Sequence, residues 1–315
     1  MVKNNDRRRV DVEVDRVENV TSTDFPGHYP GEDHSWSIKK FKQSFKVDIH
    51  RLQDLEMEVD LIGCDASVAN ALRRILIAEV PTMAIETVYV TMNNSVIQDE
   101  VLAHRLGQIP IRAHPDRFRW FKKPSEGEQA EPTDYDTVCL KLDVKCEFNK
   151  EADKDEKDPL KKYINAHVYS KALEWEPQGK QAEWFAGDLI RPVNDDIIIA
   201  KLRPGQEISC VMHCNLGVGQ DHAKFSPVAT ASYRLLPTID ILSPITGADA
   251  EFFQTCFAHG VIDLKKTKDT KTAVVANPRK DTVSRECLRH DQFKDKVKLG
   301  RIRDHFMCML QEIYI

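Results

Sequence analysis

The chain has 315 residues, enough for one large domain or two ordinary ones and for a sizeable buried core. It is 41% hydrophobic and 30% charged, with a formal net charge of −5. That balance suits a globular protein and argues against a free-standing nucleic-acid binder, whose phosphate contacts call for a basic excess.

The start, Met1-Val-Lys-Asn-Asn-Asp-Arg-Arg-Arg9, is polar and no apolar run follows it, so no secretory signal is expected. No stretch reaches the length that spans a bilayer, and no membrane partner is expected. Residues 1–35 hold charges and turn formers (Phe25-Pro-Gly-His-Tyr-Pro-Gly31) without periodicity and read as an extended arm. Further on, Val47 and Ile49 alternate with polar residues, as does Leu55-Glu-Met-Glu-Val-Asp-Leu61, which predicts a hairpin with one wet face. Gly63 breaks it. Asp65 or Ser67 can cap a helix over Ala66–Glu79, which ends at Val80-Pro81 because proline disfavours helical geometry in the residue before it.

A strand follows at Ile85–Val90, then a short helix at Asp99–Leu106 stopped by Gly107. Residues 121–136 read as a surface loop. Val138–Phe148 reads as a strand with apolar side chains at every even position, and residues 149–162 as a solvated charge run. Strands are expected at Tyr163–Tyr169, Ile197–Leu202 and Ile208–Met212, the last two joined by a turn at Arg203-Pro-Gly205. No internal repeat is visible. The predicted fold class is α+β, mostly strand.

The helix carries most information. At 100° per residue, Val68, Ala71, Leu72, Ile75 and Leu76 share one face. Asn70, Arg73 and Arg74 lie opposite, with Ile77 among them. One exposed isoleucine is ordinary. The alanines at 66, 69, 71 and 78 add weight to a second covered face, since small residues let another helix come close. The helix is therefore expected to be covered once by its own fold and once by a partner chain.

The stretch Asn70-Ala-Leu-Arg-Arg-Ile-Leu-Ile-Ala-Glu-Val-Pro-Thr-Met-Ala-Ile85 resembles the signature of the alpha-like subunits of cellular RNA polymerases. Asp99-Glu-Val-Leu-Ala-His-Arg-Leu-Gly-Gln-Ile-Pro110 resembles that family's second signature. A third block, Asp221-His-Ala-Lys-Phe-Ser-Pro-Val-Ala-Thr-Ala-Ser-Tyr-Arg-Leu-Leu-Pro237, is similar to the larger alpha-like subunit shared by eukaryotic polymerases I and III rather than to its polymerase II counterpart.

The resemblance implies a dimerisation domain at 36–85 and 207–315, interrupted by an insert domain at 86–206. It also implies a scaffold with no chemistry of its own and no cofactor, in the nucleus and nucleolus. Its partners would be the small alpha-like subunit and the two largest polymerase subunits. The implied dimer interface is Ala66, Asn70, Ala71, Arg73, Arg74, Ile75, Ile77 and Ala78. Implied contacts to other polymerase subunits are His104, Arg105, Gly107, Pro110, His222, Lys224, Phe225, Ser226 and Pro227, with Lys224 expected to face the second-largest subunit.

The chain departs from the family twice. The polymerase II counterpart has a zinc-binding cysteine cluster in its insert, whereas Cys139 and Cys146 here are isolated and fall on opposite faces of a strand. After Val297-Lys-Leu-Gly-Arg-Ile-Arg-Asp-His-Phe306 the family continues into a second dimerisation helix, whereas this chain reads Met307-Cys-Met-Leu-Gln-Glu-Ile-Tyr-Ile315, so a shortened or altered end is expected.

The nearest alternative is a related polymerase or assembly subunit outside polymerases I and III; a metal or hydrolytic enzyme is a distant one, weighed because there are 11 histidines. Cys210-Val-Met-His-Cys214 is the one tight Cys/His cluster, but on a strand its cysteines share a face and His213 points away, which is not a four-ligand arrangement. The eight cysteines (Cys64, Cys139, Cys146, Cys210, Cys214, Cys256, Cys287 and Cys308) lack framework spacing and read as reduced, intracellular thiols. His104 could act as a general base, but no nucleophile motif sits near it. Arg112, Arg117, Arg119, Lys122 and Lys123, interleaved with Phe118, Trp120 and Phe121, could bind single strands. In a net acidic chain the favoured reading is a segment packed on protein, with no direct nucleic-acid binding.

Overall fold

Alternation of apolar and polar residues builds most of this molecule. The computed structural model describes residues 8–19, 35–122, 132–153, 156–267 and 270–312. The chain divides into two compact units: Met1–Leu52, Met57–Leu72 and Ser232–Met309 form the first, and Gln53–Glu56, Arg73–Ala231 and Leu310–Ile315 the second. These limits differ from the boundaries expected at 85 and 207. The strand Glu207–Gly217 pairs along its length with Thr82–Asn93 on one side and Thr137–Lys145 on the other, which ties it to the second unit.

The first unit is built on a sheet in the order Val17–Glu18, Arg9–Val12, Val297–Glu312, Glu56–Ile62, Lys46–Leu52, with Val228–Ile241 also pairing the Val297–Glu312 strand. The expected hairpin is present, Lys46 opposite Ile62 and Leu52 opposite Met57, and its outer strand is exposed throughout. Within the expected extended arm, residues 9–18 are held by the sheet. Val10 and Val12 are buried, and Arg9–Val12 pairs antiparallel with Leu299–Ile302. Residues 20–34 of the expected arm lie outside the described residues.

Two apolar clusters sit in this unit, one around Phe253, Phe293, Ile245 and Leu299, the other joining Leu61, Cys64, Ala69 and Phe306. The same unit holds a buried charged cluster. Asp60 is 2% exposed, and its Oδ2 meets His50 Nε2 at 3.0 Å, His305 Nε2 at 2.8 Å and a guanidinium nitrogen of Arg279. Arg234 donates to the carbonyls of Asp281 and Arg279 at 2.9 and 2.6 Å, which fixes the turn that carries Arg279.

The second unit has an antiparallel sheet in the order Glu174–Glu176, Thr137–Lys145, Glu207–Gly217, Thr82–Asn93. Val138, Leu140, Leu142, Val144 and Cys146 are buried as the even-position pattern predicts. The strand is shorter than expected, however, and Glu147–Phe148 is a separate short strand paired with Tyr163–Ile164. The helix Asp99–Gly107 buries Leu102 and Leu106 in the same core, which also takes Ile208, Cys210, Met212 and Cys214. Each such aliphatic side chain contributes roughly 1.5–3 kcal/mol by leaving water.

Candidate docking surfaces

The helix at Ala66–Ala78 starts on Asp65, whose carboxylate accepts from the Ser67 amide at 3.2 Å and the Ser67 hydroxyl at 2.7 Å. That satisfies a donor that the first helical turn leaves open, and the same bonds hold the Asp65 carboxyl below its ordinary pKa. Of the expected interface residues, Ala66, Ala71, Arg74 and Ile75 are exposed, while Asn70, Arg73, Ile77 and Ala78 are half-buried. The face grouped by the wheel, Val68, Ala71, Leu72, Ile75 and Leu76, is exposed or half-buried along its length. Ala69 is the one buried residue of the helix, whereas Leu72 and Ile75 on the apolar stripe are 42% and 40% exposed. Ile77 lies toward the protein instead. A Cβ on Gly219 would come within 2.1 Å of the Ile77 carbonyl oxygen, so that chain crossing requires glycine.

The loop after the strand Glu207–Gly217 closes on this region. The Gln220 amide donates to the Ala78 carbonyl at 2.9 Å and so caps the helix C-terminus. Phe225 is buried with its ring against Gly217, where a Cβ would fall 2.6 Å from the ring carbons. Its carbonyl accepts from the Thr82 hydroxyl at 2.6 Å. The Lys224 side chain is 12% exposed, and its ammonium meets Glu86 Oε2 at 2.5 Å and donates to the Ile85 carbonyl at 2.8 Å.

Beside the loop opens a groove of about 850 Å³, lined among others by Glu86, Tyr89, Phe121, His213, Asp221 and His222. Tyr89 stands edge-on to His213 with ring centroids 4.8 Å apart, and burial lowers the His213 pKa below its ordinary value. Sequence reasoning missed Glu86, Tyr89 and His213 as lining residues. For Tyr89 the signal was the alternation of Thr82–Asn93, where Val88 and Val90 pack inward and Tyr89 is exposed.

The three sequence blocks therefore meet, although not as a row of free contacts. His104, Arg105 and His222 are exposed, and Arg105 donates to the Ile198 carbonyl at 2.6 Å. Ser226 and Pro227 are half-buried. Gly107, Pro110 and Phe225 are buried within this chain. Lys224 is likewise turned inward.

The family model described as the RNA polymerase Rpb3/RpoA insert domain matches residues 88–237. The DNA-directed RNA polymerases I and III subunit RPAC1 of Saccharomyces cerevisiae is 52% identical over 298 residues, covering 95% of this chain and 88% of that protein. Its Homo sapiens counterpart is 50% identical over 295 residues, covering 94% and 84%. The chain belongs to this subunit family. The DNA-directed RNA polymerase II subunit rpb3 of Dictyostelium discoideum is more distant, at 30% identity over 285 residues and 88% of each chain.

The RPAC1 family frame also bears on the other candidate chemistries. Cys210, Met212 and Cys214 point into the core while His213 faces the groove. Burial pushes the thiols up, Cys210 to about 11 and Cys287 to about 12, so they are not thiolates at neutral pH. Among the described residues no group of three or more His, Cys, Asp or Glu side chains is placed to hold a metal ion. In the basic-aromatic segment, Arg117 lies over the Phe185 ring at 5.1 Å and donates to the Trp184 carbonyl, and Arg119 lies over Tyr135 at 5.3 Å. Phe118 stacks on Phe185. These side chains serve the fold of the second unit; Lys123 lies outside the described residues.

Proposed function

We propose that this chain is a non-catalytic assembly subunit of DNA-directed RNA polymerases I and III, working in the nucleus and nucleolus. In this reading it pairs with the small alpha-like subunit through the helix Ala66–Ala78 and presents the groove beside Lys224 to the largest subunits. Transcription of ribosomal RNA precursors, 5S rRNA and tRNA would then depend on it. The relatives supply the polymerase context. The observation that carries the pairing is the stripe of Ala71, Leu72 and Ile75, which the protein's own fold leaves uncovered on an otherwise well-capped helix. Apolar surface in such a position is where a partner gains most from excluding water.

The reading centres the interface on Leu72 and Ile75, nearly half a helical turn from Ile77. Co-expression with the small alpha-like subunit tests it. Leu72→Arg together with Ile75→Arg should abolish co-elution, whereas Arg74→Ala should leave it. Co-elution that survives the double arginine change refutes this use of the helix.

A further inference from the structure

Lys224 sits in an exposed-looking polar loop, yet its side chain is spent inside the molecule. Its ammonium bridges the Ile85 carbonyl and the Glu86 carboxylate and lies 5.1 Å from the centre of the Phe225 ring. Around it every neighbour is fitted for closeness. A Cβ on Gly107, at the end of the helix Asp99–Gly107, would come within 3.4 Å of the Ile85 carbonyl oxygen and 3.7 Å of the Lys224 Cδ. Thr82 and Gln220 tie the two ends of the loop, one to the strand start and one to the Ala78 carbonyl. The Lys224 amide itself donates to His222 Nδ1 at 3.1 Å, which orients the exposed imidazole at the tip.

We propose that Lys224 is a positioning residue: it clamps the 217–227 loop across the start of the strand Thr82–Asn93 and the end of the helix Ala66–Ala78, so that Asp221, His222 and the groove are presented in one fixed arrangement. This rests on the reading that the groove docks a neighbouring polymerase subunit. It also replaces the simpler view of Lys224 as a direct contact. A charge-assisted bond to a backbone carbonyl and a carboxylate inside a half-buried site is stronger than a solvent-facing one, and it has direction as well as strength. Because the clamp and the helix cap lie in one loop, loosening one exposes the other.

The test uses the full chain co-expressed with its polymerase partners and follows two signals, hydrogen exchange at the Gln220 amide and co-purification of the polymerase. Lys224→Met should speed exchange at Gln220 by about tenfold or more and lower co-purification with it. Lys224→Glu should do the same, and adding Glu86→Lys to it should recover most of both signals by restoring the pair in reverse. A Lys224→Met protein with unchanged exchange but lost co-purification would overturn the clamp, since the ammonium would then be touching the partner. So would a reversed pair that recovers neither signal. His222→Ala separates the two readings: lost co-purification at unchanged exchange supports presentation by the loop, and full co-purification removes the docking reading on which the clamp's role depends.

Discussion

The two units solve burial in opposite ways. The second unit packs Leu102, Leu106, Leu140, Leu142, Met212 and their neighbours into one apolar core, and among its described residues no charged side chain is buried. The first unit splits its apolar residues into two clusters and also buries a carboxylate, Asp60, held by Arg279, His305 and His50. An apolar core tolerates neighbouring substitutions of similar volume, because its attraction has no direction. A buried ion cluster adds little net stability over a well-packed apolar one but fails sharply when a single member is lost. The first unit is thereby the more specified and the more fragile of the two.

The contrast can be broken at several points. Leu140→Ala in the second unit should cost about 4 kcal/mol in urea unfolding, from lost transfer energy and the cavity left behind. Asp60→Ala in the first unit should cost about 3 kcal/mol, near the lower end for a buried pair because Arg279 keeps some access to water. A cost near zero for Asp60→Ala would show that the cluster is solvated and would dissolve the contrast.

Acid titration sharpens it next. Burial opposes ionisation of Asp60, but the bonds from Arg279 and His305 outweigh it and hold its pKa below 3.8. Its contribution is therefore full above that value and is lost as pH falls through the depressed folded pKa. Asp281 behaves inversely. Burial raises its pKa above 3.8 despite amide bonds from Val283 and Thr282, so its contribution is lost as pH rises through that window. Asp60→Asn should flatten the acid limb of the stability curve, and Asp281→Asn should raise stability at neutral pH relative to pH 3.8. The smallest effect belongs to the surface: Ile75→Arg should change unfolding by less than about 0.5 kcal/mol, so any lost pairing cannot be blamed on the fold.

Much of this architecture was readable from local pattern. The hairpin at Lys46–Ile62, the helix at Ala66–Ala78 and the inward residues of Thr137–Lys145 each follow from a period of two or 3.6 within a few residues. What was hidden depends on distant chain. The strand Arg9–Val12 is recognisable only once Leu299–Ile302 lies beside it. The wheel could group Leu72 with Ile75 but could not say which face the rest of the chain would cover, because Gly219 settles that by crossing Ile77. Lys224 misled for a related reason: a lysine in a polar, proline-ended loop reads as solvated until two acceptors from the strand beginning at Thr82 are placed against it.

The outer strand of the first unit has a practical consequence. Lys46–Leu52 ends its sheet with every residue exposed; Val47 and Ile49 stand between Lys46, Asp48 and His50, and Leu52 follows Arg51. Such an edge is a template for another strand, and alternating charges are what discourage the match. Their repulsion reaches only about 8 Å in physiological salt and about 3 Å at 1 M. Light scattering from the free chain should therefore rise with added sodium chloride, and the colloidal state of a preparation will report how well this edge is guarded.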